Sequence, residues 1–147
     1  MAICRYFEDL HSEPRLMGRY AKDKAVVEMW ERRAYEGPMF AITEMLRNTH
    51  AAFVQRGLPG IAEPIEQVAG VVERGRGRLR RFSASSDKQL GKSRFMAGDA
   101  FSVADITAFC ALDFLARLLE TPVAPEHVHL RRWFGEVAKR PSVPASA

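Results

Sequence analysis

The stretch FMAGDAFSVADITAFCALDF, Phe95 to Phe114, decides how this chain is read. It joins a Gly98-Asp99 turn to Ser102, which stands directly before an apolar run, and Asp105 follows three residues later. That is a capping-box arrangement, with Asp in place of the commoner Glu or Gln. The Ser102 hydroxyl is placed to accept the Asp105 N–H, and the Asp105 carboxylate to accept the Ser102 N–H in return. The carboxylate also sits at the positive end of the helix dipole. Phe101 before the cap and Ile106 at the fourth helical position have the spacing of a hydrophobic staple. The competing reading makes Asp105 a general base or a metal ligand, but the segment offers no histidine and no second carboxylate at ligand spacing. The pattern predicts a helix start, a folding device rather than a chemical one.

Working outward, the apolar periodicity is helical almost everywhere. Ile3, Tyr6, Phe7 and Leu10 recur on one face of a short helix over Ala2–Leu10. Pro14 and Gly18 mark a connector. Val26, Met29, Trp30, Phe40, Met45 and Leu46 line a long helical pattern from about Ala21 to Asn48, bent near Gly37-Pro38. Arg56 to Gly60 reads as a loop. Another helix is predicted from about Pro64 to Leu90; the polar run FSASSDK suggests that it ends or frays near Ser83. The helix begun at Ser102 reaches about Leu119, and a last one spans about Glu126 to Lys139, with Pro141 at its end. Alternating strand-like runs are few. The fold class is all-α.

A chain of 147 residues suits one domain with a substantial core. The formal charge of +4 is small and mixed along the chain, so it argues only weakly for nucleic acid or anionic membrane, and neither is expected as a partner. The most basic run, ERGRGRLRR at Glu73–Arg81, reads as a solvated helix face, with a phosphate-binding stripe as the alternative. Cys4 and Cys110 stand alone beside apolar residues, so buried free thiols are expected and a zinc or disulfide scaffold is not. No apolar run is long enough to span a membrane and no basic-then-apolar leader opens the chain, so a cytoplasmic protein is expected.

RFMAGDAFSVADITAF resembles the start of the core helix in the C-terminal domain of glutathione S-transferases, a family with an AGD.FS.ADI pattern there. LRRWFGEVAKRPSV resembles the closing helix of the same domain, and AICRYFEDLHSEPRLMG resembles the last helix of the family's thioredoxin-like domain with its linker. The resemblance covers nearly the whole chain in order. It implies a helical bundle over residues 21–147, a linker over 11–20, and over 1–10 a remnant of the preceding domain, as in an N-terminally truncated chain. The parent activity it implies is conjugation of the glutathione thiolate to a small electrophile, by a homodimer in detoxification, with glutathione as co-substrate and no tightly bound cofactor. The family's catalytic serine, tyrosine or cysteine and its main glutathione contacts belong to the thioredoxin-like part. No catalytic residue is therefore assigned here, and little activity is expected of the chain alone.

What the resemblance leaves to this chain is the electrophile side of the site. Trp30 and Arg33 lie three apart on the helix that in the family faces both the acceptor pocket and the dimer interface. They stand as an apolar wall and a charge near the glutathione site, against the plainer reading of a core tryptophan and a solvated arginine. Phe114 is a further substrate-binding candidate on the core helix, and Asp113 beside it reads as a hydrogen-bonded buried polar group before an acid catalyst. His127 and His129 have poor spacing for a shared metal, and His11 and His50 are isolated. Trp133 is expected to pack the last helix onto the core. The alternative function is a non-catalytic protein-interaction module of the same fold, which exposed apolar residues at Ile3, Phe7 and Leu10 would favour.

Overall fold

The computed structural model describes residues 1–11, 13–56 and 63–144. Six α-helices follow in order: α1 (Ala2–Leu10), α2 (Ala21–Ala34), α3 (Phe40–Thr49), α4 (Ala69–Leu90), α5 (Val103–Leu118) and α6 (Val128–Ala138). No strand occurs among the described residues, so the all-α expectation holds. The loop expected at Arg56–Gly60 falls outside them after Arg56.

The long second helix is bent where the sequence predicts. Tyr35–Met39 forms one π-helical turn between α2 and α3, with Pro38 inside it. Proline withholds an N–H and disturbs the regular ladder, and such turns absorb the mismatch. Gly37 lets this bend lie on α4: a Cβ there would stand 3.1 Å from the Phe82 ring.

α3 packs along α4, α2 along α5, and α6 closes on α4 and α5. Ala104, Ala108 and Ala111 are fully buried and keep α5 slim on its inner side. Trp30 and Ala34 of α2 belong to the same core, as do Ile42, Phe82, Leu115 and Trp133. Burying a large apolar side chain of this kind stabilises by about 1.5–3 kcal/mol. Trp133 is wholly buried, as expected of the closing helix.

Two helix boundaries differ from the pattern. α4 begins at Ala69 rather than Pro64, because the preceding segment is bonded to the end of α3. Gln67 Nε2 donates to the Arg47 and His50 carbonyls at 3.0 Å, and the Val68 N–H donates to Asn48 Oδ1 at 2.9 Å. Nor does α4 fray near Ser83. Ser83 and Ser86 are buried, small enough for the seam they occupy. Asp87 Oδ1 accepts the Leu130 N–H at 2.9 Å and so caps the N-terminus of α6. In return Arg132 Nη2 donates to the last carbonyl of α4, Leu90, at 2.9 Å.

Both cysteines are exposed, contrary to expectation. Cys4 lies on α1, which buries no residue at all, and Cys110 on the outer side of α5. Polar contacts hold α1 instead of a core: Arg5 pairs with Glu28, and Glu8 accepts the Leu16 and Met17 N–H groups at 2.8 and 2.9 Å. Its apolar residues face solvent, with Ile3 72% and Leu10 57% exposed.

Candidate functional site

Asp105 is completely buried, and its carboxylate is a structural hub. Oδ2 accepts the Ser102 N–H and the Ser102 hydroxyl, each at 3.0 Å. Oδ1 accepts the Met96 N–H at 2.9 Å and the Trp133 indole N–H at 2.8 Å. The capping box is present, and its carboxylate also reaches a loop and α6. Burial pushes the Asp105 carboxyl above its ordinary pKa, and the Met96, Trp133 and Ser102 donors pull against that rise without cancelling it. With every oxygen engaged from within, Asp105 offers nothing to a substrate. Phe101 meets Phe95 edge-on at 5.6 Å and lies under the Arg140 guanidinium, while Ile106 is 38% exposed.

Trp30 lies in the core cluster at 5% exposure, and the exposed Arg33 guanidinium stands over its ring at 4.8 Å. The i, i+3 spacing on α2 brings the two together as the sequence suggests. Arg33 also lines an open groove with Glu36, Gly37, Arg78, Arg81, Phe82 and Ser85, between the α2–α3 bend and α4. Phe114 belongs elsewhere. It is 39% exposed and shares a separate groove on the outer side of α5 with Cys110, Asp113, Arg117 and Leu118. The i, i+4 pair Asp113–Arg117 closes one wall of it, so Asp113 is ion-paired rather than poised as an acid.

The two candidate surfaces are thus distinct: a basic one that includes Arg33 and an apolar one that includes Phe114. Arg78 and Arg81 carry no signal of their own beyond the basic run. Their i, i+3 spacing puts them on one side of α4, but that they line one groove with Arg33 is a tertiary fact. A third cavity of about 190 Å³ lies under α1, with Met17, Val27 and Val103 among its walls and Arg5, Lys24 and Asp9 at its rim. Among the described residues no group of three or more His, Cys, Asp or Glu side chains is arranged to hold a metal ion, and no helix is long and apolar enough to cross a membrane.

The comparisons with known proteins bear on the whole of this architecture. The family model described as "Glutathione S-transferase, C-terminal domain" matches residues 40–141. Glutathione S-transferase 2 of Saccharomyces cerevisiae is 30% identical over 144 residues, a match spanning 97% of this chain and 58% of that protein. Glutathione S-transferase F9 of Arabidopsis thaliana is 26% identical over 152 residues, spanning 96% of this chain and 63% of that protein. In three dimensions the chain is similar to the crystal structure of Gtt2 from Saccharomyces cerevisiae, with a TM-score of 0.83 and 27% identity over 98% of this chain and 66% of that one. The chain therefore spans about three fifths of the length of the curated relatives it matches. It belongs to the glutathione S-transferase family, and residues 40–141 match the C-terminal domain of that family.

Proposed function

We propose that this chain supplies the electrophile-facing half of a glutathione-conjugating enzyme. On this reading residues 21–147 are the helical domain, 11–20 the linker, and 1–10 the last helix of a thioredoxin-like domain. The observation that carries it is the pair of outward apolar surfaces on α1 and α5. α5 is apolar on nearly all sides, and a helix of that kind is normally covered on all sides. Ile106, Phe114 and Leu118 nevertheless stay at 38%, 39% and 54% exposure. Phe114 is proposed as an apolar contact for the electrophile, and Trp30 with Arg33 as wall and charge nearer glutathione. Glutathione is the co-substrate, and the assembly is a cytoplasmic homodimer acting in detoxification. The thiol of glutathione needs a group that lowers its pKa, and the family resemblance puts that group in the thioredoxin-like part rather than in the helical domain.

The chain alone is therefore expected to turn over glutathione and a broad aryl-halide electrophile at no more than a trace of a transferase's rate. Turnover comparable to that of full-length relatives would overturn the proposal. A second reading, a non-catalytic interaction module, is favoured by α1, which presents Ile3, Tyr6, Phe7 and Leu10 to solvent and buries none of them. Light scattering on the same sample separates the two: defined association without conjugation, even after supply of a thioredoxin-like partner domain, supports the module.

A further inference from the structure

The basic run Glu73–Arg81 does not form one charged stripe. Arg74 and Arg78 both reach the Glu44 carboxylate across the α3–α4 seam, at 2.7 and 3.1 Å. Arg76 pairs with Glu73 on its own helix. Arg81 has no carboxylate within salt-bridge distance among the described residues, and the same is true of Arg33 on α2. These two, with Arg78, line the groove whose floor includes Phe82 and Gly37. Arg33 is held at its edge by the Trp30 ring beneath it. Arg81 folds back along α4, its Nη1 3.3 Å from where a Cβ of Gly77 would stand. The glycine in this arginine-rich run thus leaves room for the guanidinium.

The charges in the groove are unbalanced. Of the charged residues that line it, Arg78 is paired with Glu44 at 3.1 Å and Glu36 with Arg32 at 2.7 Å, which leaves Arg33 and Arg81 uncompensated. The lining keeps two positive charges in excess. Just beyond it Phe40 lies near the Arg78 guanidinium and stacks edge-on with Tyr35 at 5.3 Å, both rings being about two fifths exposed. Ser85 adds a hydroxyl to the lining.

We propose that this groove binds a small phosphate monoester carried on a flat apolar body. A phosphate monoester brings a charge of about −1.5 to −2 at neutral pH, with three acceptor oxygens. That matches the excess charge and the planar forks of the arginines, which bind phosphate in pairs of parallel hydrogen bonds. A carboxylate or sulfonate, with a single charge, leaves one guanidinium uncompensated. Nucleic acid suits the surface less well. Glu44 and Glu73 offset two of the three charges on Arg74, Arg76 and Arg78, which breaks up the track that a nucleic-acid backbone would follow.

The test is calorimetric titration of the 147-residue chain with phenyl phosphate, in low-salt buffer free of phosphate and sulfate. Saturable one-to-one binding is expected, at least tenfold tighter than binding of benzenesulfonate or benzoate and tighter than inorganic phosphate. R33Q and R81Q should each weaken it by tenfold or more, while R19Q, on the distant connector, should not change it. Circular dichroism and light scattering confirm that each variant keeps its fold and oligomeric state. Equal binding of the monoanions overturns the proposal, as does wild-type affinity in R33Q and R81Q. Tighter binding of a single-stranded oligonucleotide than of phenyl phosphate would make the surface a nucleic-acid contact instead. Dissociation of an oligomer by R81Q, with no phosphate binding, would make it a subunit contact.

Discussion

Removing the Asp105 carboxylate should cost more stability than any other single polar change in this domain. In D105A the Met96 and Ser102 backbone N–H groups and the Trp133 indole N–H lose their acceptor, in a site with no access to water. Each stranded buried donor costs about 1–3 kcal/mol. The three share one acceptor and their losses do not add in full, so a total near ~4 kcal/mol is expected. D105N keeps the shape and one carbonyl oxygen, and the Ser102 hydroxyl is free to turn and accept from the amide. About 2 kcal/mol is expected there. Urea unfolding followed by fluorescence suits the measurement, since Trp30 and Trp133 are both buried. The pH dependence adds a second check. Burial raises this carboxyl on folding, so the native state binds the proton more tightly than the unfolded chain does. Its contribution to stability is then fullest below the unfolded-state pKa and is lost as pH rises through the folded-state pKa. D105N has no such proton. The gap between wild type and D105N should therefore widen as pH falls and narrow towards neutrality. A gap that shrinks on acidification would show that the donors, not burial, set the ionisation. A loss below about 1 kcal/mol in D105A would refute the hub itself.

Gly18 has φ +90°, and a Cβ there would stand 2.6 Å from the Lys24 nitrogen. G18A is expected to cost at least about 2 kcal/mol in thermal unfolding, and a neutral result would mean that the linker is not pinned to the start of α2. G98A is the control, since φ +141° is strained but no atom lies within 4 Å, and it should cost roughly half as much. D87A removes the cap that α4 lends to α6 and should cost about 1 kcal/mol. Hydrogen exchange should rise in the first turn of α6 and not in α5; equal protection in both would count against the cap.

In α2 to α5 the helix phases are legible because most of the apolar residues that set them are buried, whereas in α1 Ile3, Tyr6, Phe7 and Leu10 share a face that stays exposed. Trp30, Met45, Val72, Phe82 and Leu112 repeat at helical spacing and all reach the core. The start of α4 was not legible for the complementary reason. Ile65 and Val68 keep helical spacing but are 42% and 50% exposed, and their segment is held by bonds to Arg47, Asn48 and His50, some twenty residues away. The polar run FSASSDK reads as a helix end because the partner of its Asp87, the Leu130 N–H, lies 43 residues on. The thiols were misplaced because neighbours in sequence do not say which side of a helix faces out. In the candidate site, Trp30 and Arg33 could be joined by spacing alone. Arg33 and Arg81 could not, since forty-eight positions and a helix crossing separate them.

The motifs that made the family legible also explain why they reveal so little chemistry. Ser102 and Asp105 belong to the AGD.FS.ADI pattern, and Trp133 to the closing L..W pattern, yet they are parts of one hydrogen-bonded unit. The Trp133 indole N–H donates to Asp105 Oδ1 at 2.8 Å, while Oδ2 holds Ser102. A buried carboxylate with four donors tolerates few replacements, because any change strands a donor or an acceptor. Residues bound in this way identify the fold through their mutual dependence. Surface side chains such as Arg33, Arg81 and Phe114 have no comparable obligation to the core, so the fold leaves them free to differ between one member and the next. The family follows from residues that cannot act on a substrate, and the specific chemistry of this chain must be sought in residues on which the fold does not depend.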